Sequence, residues 1–367
     1  MNILMLGGTG AMGVYLQDIL NDGVNRITIT SRRSRENRGN IRFVEGDGHD
    51  PVFLRSLLSE HYDAIIDFMV YSTDAFRERY ELLLSNTDQY VFLSSSRVYA
   101  GASVPMTESS PRLLDVCTDE TYLKTDEYAL AKARCEDLLF KSDKLNWTII
   151  RPYITFSPQR LQLGVFEKEN WLYRVLHGRT LVFSEDIASK LTTMTLGFDV
   201  AHGIAALLGK DEAMGQAFHI TNSQSYSWHQ ILDTYKTVLV RHGYVAKLKL
   251  VDKCQRLGLS KGSDYQIIYC RYYDRMFDDS KISAFIDVAQ FTDTLSGIDK
   301  CLTKFLEHPS FGQIDWKLEA VSDRIARERT PLSEIPSKSG KFTYFCYRYH
   351  LKAMYSVASR IIHLLHN

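Results

Sequence analysis

The sequence predicts an α/β fold: a doubly wound parallel sheet flanked by helices, followed by a smaller C-terminal α/β lobe. Three observations carry this. The first 160 residues alternate short apolar runs with amphipathic stretches, the rhythm of strands joined by crossover helices. The run Ala64-Ile65-Ile66-Asp67-Phe68 is almost unbroken in its apolar character, as a strand covered on both faces requires. A glycine turn, Gly7-Gly8-Thr9-Gly10-Ala11-Met12-Gly13, follows the first apolar run directly.

Taken in order, strands are expected at 3–6, 27–30, 42–45, 64–68, 90–94 and 147–151. Helices are expected at 12–21, 51–58, 73–85, 125–141 and 171–176. After Arg151-Pro152 the pattern loosens into a mixed region rich in Tyr, Phe and Trp. The expected division is a nucleotide-binding domain at 1–160 (with segments returning from later in the chain), a substrate lobe at 161–320 and a tail at 331–367. The stretch 331–340 turns polar, with Pro, Ser and Gly, and reads as a linker.

Composition narrows the function. Lys+Arg and Asp+Glu are both 44 in a chain of 367, so no global field favours nucleic acid or an anionic membrane. The six cysteines show no CxxC or Cys/His spacing, which argues for reduced thiols and no metal. The chain opens on an apolar strand without a basic leader, and no stretch approaches the roughly 20 apolar residues of a spanning helix. A cytoplasmic protein is expected.

The glycine turn stands between a strand and a helix, the context in which it binds a dinucleotide. Gly7 permits the tight turn, Gly10 lets a pyrophosphate approach the backbone, and Gly13 lets helix and sheet pack. The backbone of Thr9, Ala11 and Met12 belongs to the same phosphate-facing turn. An NAD site usually offers a carboxylate at the end of the second strand. Here Ser31 stands there and Arg32-Arg33 follow, which suits a 2′-phosphate and favours NADP over NAD. A solvated basic loop is the competing reading, since Arg35 and Arg38 continue the run. Asp47, in Gly46-Asp47-Gly48, is placed to accept from the adenine amino group, and Phe68 and Met69, at the end of the fourth strand, are further cofactor candidates.

Tyr128 and Lys132 are four apart on a predicted helix and share a face. A phenol of ordinary pKa, about 10, is a poor base at neutral pH, and a nearby ammonium favours its phenolate. Ser95, in the run Ser94-Ser95-Ser96-Arg97-Val98-Tyr99, can hold a substrate oxygen near Tyr128. Ser95, Tyr128 and Lys132 are therefore the candidate catalytic residues.

With these residues in place the chain resembles the extended short-chain dehydrogenase/reductase superfamily, in its NAD(P)-dependent epimerase/dehydratase branch that modifies nucleotide sugars. The resemblance rests on Gly7/Gly10/Gly13, Ser94–Tyr99, Glu108, Tyr128/Lys132 with Glu136, and Ile150-Arg151-Pro152. Weaker echoes lie at 198–201, 218–221 and 279–281. It implies a Rossmann-like domain with a C-terminal substrate lobe, and Ser95 as the family's Ser/Thr position. Three departures stand out. Ser96-Arg97 occupy the places of the acidic pair that drives water elimination in 4,6-dehydratases, which argues against dehydration. The segment from Asp67 to about Tyr90 is short for the family's dimerisation helix, so a homo-oligomer need not be the usual dimer. Asp67-Phe68-Met69-Val70 replaces the familiar His-Leu-Ala-Ala, and the tail after about Pro331 has no counterpart.

The resemblance places sugar-nucleotide contacts in the lobe without assigning them. Candidates are Ser96, Arg179 for a pyrophosphate, Tyr153 or Trp171 for stacking, and Arg271 as a further anion ligand, each against a packed or solvated alternative. In the tail Leu351, Met354, Tyr355, Ile361, Ile362 and Leu365 fall along one helical face between Lys352, Arg360 and His363. Docking on its own domain or oligomerisation is expected over membrane contact. Two chemistries stay open for a nucleotide-linked sugar, a C4-type epimerisation and a ketone reduction by NADPH. An NADPH-dependent ketoreductase of another small substrate, or a non-catalytic relative that senses cofactor or binds RNA, is the alternative.

Overall fold

The computed structural model describes residues 1–257, 259, 261–349 and 351. The chain forms two compact units. The first is Met1–Gln159, Leu191–Ser225 and Tyr273–Gly297, and the second is Arg160–Lys190, Tyr226–Tyr272 and Ile298–Asn367. Residues 191–225 and 273–297 return to the first unit from later in the chain.

The first unit is built on a parallel sheet. Its strands β1 (Asn2–Leu6), β2 (Arg26–Ser31), β3 (Ile41–Glu45), β4 (Tyr62–Asp67), β5 (Thr87–Leu93) and β6 (Trp147–Ile150) are joined at the edge by Gln216–Phe218. The spatial order is Gln216–Phe218, β6, β5, β4, β1, β2, β3, so the direction of winding reverses beside β1. Alternation within the strands supplies both cores. Ile3, Met5, Ile27, Ile29, Ile66 and Val91 face one layer with Leu16, Leu20, Val200 and Leu207. Leu4, Leu6, Ile65, Tyr90, Phe92 and Ile149 face the other with Leu54, Phe76, Leu83 and Leu139. A strand covered on both sides has no polar face to alternate with, which explains why its sequence reads as continuous apolar residues.

The helices on these faces are α1 (Gly13–Leu20), α2 (Pro51–Leu57), α3 (Thr73–Arg77), α4 (Tyr80–Ser85), α5 (Leu113–Val116), α6 (Glu120–Leu123) and α7 (Tyr128–Phe140). The helix expected over 73–85 is broken at Arg79, whose φ of −133° leaves the helical region. Its guanidinium is drawn to carbonyls after β3, bonding Gly48 O at 3.3 Å and His49 O at 3.4 Å. The helix Gly197–Leu207 lies against α1 so closely that a Cβ on Gly197 would stand 2.3 Å from Ala11 O.

In the second unit Leu181–Ser184 pairs in parallel with Leu248–Val251. Helix Lys168–Leu176 starts three residues before its expected position, and Trp228–Arg241 is closed by a Ser227/Gln230 capping box. Helices Trp316–Ala326 and Lys338–Arg348 pack through Ala320, Ile335 and Tyr344. The stretch 331–340 is therefore no open linker: Ile335 is buried, and Ser337 caps the following helix through the Gly340 amide. Of the expected tail face, Met354, Tyr355, Ile361, Ile362 and Leu365 lie outside the described residues. Among the described residues no helix is long and apolar enough to cross a membrane.

Candidate active site

The glycine turn is dictated by both conformation and space. Gly7 has φ of 70°, and a Cβ there would stand 2.7 Å from Met69 Sδ. A Cβ on Gly13 would stand 2.2 Å from Gly8 O, while Gly10 faces open space. No side chain caps α1 at Met12. The Val14 and Tyr15 amides bond Gly10 O and Met12 O at 3.1 Å, so within the first turn the Gly13 amide is the one without a hydrogen bond among the described residues, the kind of donor a pyrophosphate site needs.

Beside this turn lies a cleft of about 300 Å³, lined among others by Gly7, Thr9, Ser31, Arg32, Asp47, Phe68 and Met69. It collects seven of the expected cofactor residues. Gly10, Ala11, Met12 and Gly13 do not line it and instead form the entry to α1. Thr30, which sequence reasoning missed, accepts from the Gly7 amide at 3.0 Å and ties the turn to the end of β2. His49, also missed, places Nδ1 3.1 Å from Asp47 Oδ1 and its amide donates to the same oxygen at 3.0 Å. These contacts, the amide foremost, hold the Asp47 carboxyl below the ordinary range. The arginine run divides. Arg35 donates to Ser31 Oγ at 3.2 Å and Arg38 pairs with Asp18 at 2.6 Å. Arg32 lines the cleft and has no hydrogen bond or ion pair among the described residues.

The three candidate catalytic residues converge at the carboxyl ends of β4 and β5. Lys132 is 2% exposed, and its Nζ donates to Leu93 O at 2.6 Å and Met69 O at 3.1 Å. Leu93 ends β5 two residues before Ser95. Ser95 Oγ accepts from the Arg97 amide at 3.2 Å, which leaves its hydroxyl hydrogen for another acceptor. Tyr128 opens α7 behind the Glu127 N-cap, one turn before Lys132. Arg97 lies with its guanidinium carbon 5.2 Å from the Tyr128 ring centre and donates to Glu127 Oε1 at 2.6 Å. It is a cation stacked on the Tyr128 ring.

Asp67 is the unexpected neighbour. Fully buried at the end of β4, it accepts from Tyr90 and Tyr71 hydroxyls at 2.8 and 3.0 Å and from the Met69 amide at 2.9 Å. Burial pushes its carboxyl up, against the pull of Met69, Tyr90 and Lys132. A group raised in the folded state binds its proton more tightly there than in the unfolded chain. Its ionisation therefore costs stability as pH rises from the unfolded value through the folded one. Asp67→Asn is expected to gain on the wild type in urea melts as pH rises through this window. A difference independent of pH would refute the buried-carboxyl assignment.

Glu136 and Arg151 brace the same strand ends. Glu136 is fully buried, accepts from Ser94 at 2.6 Å and takes a two-pronged pair from Arg151 at 2.8 Å on each oxygen. Ser96, expected at the substrate, is also fully buried and donates to Arg151 O at 2.7 Å, so it ties β6 to the serine run. Tyr153 is 9% exposed and packs its ring 5.4 Å from that of Phe277.

Within the second unit the remaining candidates serve the interior. Trp171 is fully buried, with Nε1 donating to Leu161 O at 3.1 Å. Arg271 is 3% exposed and donates to Gly164 O at 3.0 Å. Arg179 is 6% exposed and ion-paired to Glu319 and Glu334, each at 2.9 Å, so an anionic ligand would compete with two carboxylates.

No family model matches the sequence. The chloroplast stem-loop binding protein of 41 kDa b of Arabidopsis thaliana is 23% identical over 239 residues, a match spanning 60% of this chain and 59% of that protein. Among solved structures, an epimerase of Methanothermobacter thermautotrophicus superposes with a TM-score of 0.65 at 16% identity, covering 83% of this chain and 93% of that one. UDP-glucuronic acid 4-epimerase of Bacillus cereus, solved in complex with NAD, gives 0.63 at 17% identity, covering 86% and 100%. The chain has the fold of the extended short-chain dehydrogenase/reductase epimerases and dehydratases.

Proposed function

We propose, from that shared fold and this site, that the chain is an NADP(H)-dependent oxidoreductase or epimerase acting on a hydroxyl or keto carbon of a nucleotide-linked sugar. The observation that carries the reading is the buried Lys132 ammonium beside Ser95 and Tyr128, at the strand ends next to the glycine-turn cleft. Burying an ammonium is costly unless it is fully bonded or needed, and two carbonyls leave its third proton for a ligand.

The residues present fit a dinucleotide: the uncapped α1 and open Gly10 suit a pyrophosphate, and Arg32 suits a 2′-phosphate. When bound, the nicotinamide supplies the hydride acceptor or donor. Ser95 donates its free hydroxyl hydrogen to the substrate oxygen and orients it. Tyr128 takes the proton from that oxygen in oxidation and returns it in reduction. Lys132 supplies positive charge beneath the phenol, and Arg97 fixes the ring. Arg97 offers no base for removing a proton from a neighbouring carbon, which disfavours dehydration.

The first test is mass spectrometry of nucleotide released by denaturing freshly purified protein. Stoichiometric NADP+ supports a retained, recycled cofactor and epimerisation; empty protein that then binds NADPH supports a reductase. Neither cofactor, bound or bindable, would sink the enzyme reading. Arg32→Glu is expected to weaken NADPH binding about 10–100-fold, the scale of one charge-assisted phosphate contact, while sparing NADH. Equal losses for both cofactors would refute the 2′-phosphate role.

A second reading has one observation in its favour, the partial likeness to a protein named for stem-loop binding. On that reading the chain binds RNA and the catalytic set is idle. Gel-shift titration with a hairpin RNA separates the two, since saturable binding indifferent to Tyr128→Phe favours the RNA reading.

A further inference from the structure

Both ring nitrogens of His49 face oxygen atoms that only accept. Nδ1 stands 3.1 Å from Asp47 Oδ1, and Nε2 stands 3.0 Å from the Val70 carbonyl. The Asp47 carboxyl is held below the ordinary range, so it has no proton to offer in return. A neutral imidazole carries a proton on one nitrogen and a lone pair on the other, which would set that lone pair against an oxygen. Only the doubly protonated ring satisfies both contacts.

The ring joins two loops. His49 lies between β3 and α2, and Val70 between β4 and α3. β1 and β2 separate those strands in the sheet, so the tie reaches across the strand ends from which the glycine turn and Ser31 leave. Asp47, His49 and Val70 all line the cleft beside that turn. Edge-to-face packing on Tyr71, with ring centres 5.4 Å apart, holds the imidazole plane. Among the charges around it, Asp47 favours the imidazolium. Arg32, felt by Asp47, and Arg79, which donates to His49 O at 3.4 Å and stacks on Tyr71, oppose it. Tyr71 itself donates to Asp67.

His49 bonds Asp47 twice, from its amide and from Nδ1, and both bonds end on Oδ1. Oδ2 has no hydrogen bond among the described residues. We propose that His49 is a positioning residue of the cofactor site: its imidazolium ties the two loops together and holds Asp47 with Oδ2 free for the adenine amino group. This role rests on the dinucleotide reading above. Loss of the ring proton breaks one of the two ties, so the adenine end is best ordered at low pH and slackens as pH rises.

The test is NADPH affinity, by fluorescence titration, of wild type and His49→Gln at about pH 6 and about pH 8. Taking the ratio of the two chains cancels the cofactor's own titration. Wild type is expected to bind about three- to tenfold more tightly at the lower pH, the scale of one charge-assisted hydrogen bond. At the higher pH the gap should close to within about twofold. With Asp47→Ala in both chains it should vanish at either pH, because His49 acts through Asp47. A second readout needs no cofactor. In nitrogen-resolved NMR spectra both His49 ring N–H protons should be visible at low pH and one should be lost at high pH, whereas an unbonded exposed ring exchanges both with water. A gap independent of pH, a gap that survives Asp47→Ala, or ring protons never seen would overturn the assignment. Failure of both chains to bind NADPH or NADH would sink the dinucleotide reading and the cofactor role with it; the ring protons judge the tie by themselves.

Discussion

Tyr128→Phe lowers turnover by at least ~100-fold, the scale of a lost general acid–base group, while NADPH affinity stays within about twofold. The substitution removes one oxygen and leaves the ring that Arg97 covers at 5.2 Å. Lys132 keeps both carbonyl partners, Leu93 and Met69, because neither bond involves the phenol. The glycine turn and Arg32 stand beside β1, α1 and β2, not on α7, which carries Tyr128. The loss should therefore fall on kcat with little change in the cofactor's dissociation constant, the pattern of an interaction needed at the transition state. Steady-state assays over a panel of UDP-sugars, read by nicotinamide absorbance, supply kcat; fluorescence titration with NADPH supplies affinity. A variant retaining full turnover would remove Tyr128 from the chemistry. One that loses cofactor binding as well would place the residue in the binding scaffold instead.

The reach of the sequence follows from the range of the interactions involved. All six expected strands are present, with ends displaced by up to three residues, because burial on both faces leaves an apolar run that no other local structure explains. The seventh, Gln216–Phe218, is three residues long and is held by pairing with β6, across a separation no local pattern records. The break at Arg79 has the same origin, since its partners Gly48 and His49 are about thirty residues away in sequence. The placing of Tyr128 and Lys132 on one helix was legible because their four-residue spacing is that of a shared helical face. What surrounds it was not. Asp67 looked like a departure from a familiar tetrapeptide, and only the fold brings Tyr71 and Tyr90 to its carboxylate. Arg97 reads as the absence of an acid, whereas its contact with Glu127 and the Tyr128 ring requires the serine run to cross the start of α7. Ser96 misled for a simple reason: it stands beside Ser95 in a run of three serines, and only the fold shows that its hydroxyl is spent on Arg151 O.

Arg179 misled more instructively, and its neighbour Arg174 carries the largest expected effect on stability. Arg174 is 1% exposed, pairs with Glu319 at 2.7 Å and Asp323 at 2.9 Å, and reaches Glu328 at 3.2 Å. These acids lie some 145 to 154 residues further along the chain, so the sequence shows only an arginine on a helix. Burial raises the Glu319 carboxyl, despite Arg174 and Arg179. Asp323 is held below the ordinary range against the cost of burial, by the Tyr344 hydroxyl and by Arg174. Arg174→Met keeps the volume and removes the charge, leaving buried Asp323 without its ion pair and Glu319 with Arg179 alone. The expected cost is about 3–5 kcal/mol, read as a lower midpoint in urea or guanidinium melts of the full chain. The sign of the pH effect is fixed by the same groups. Without Arg174 the stranded carboxyls favour their protonated forms in the folded state, so the variant should recover part of its deficit as pH falls. Adding Asp323→Asn should restore stability further, since it is the unpaired charge that costs. A loss below about 1 kcal/mol, insensitive to pH, would mean that water reaches the cluster and that it behaves as a surface pair.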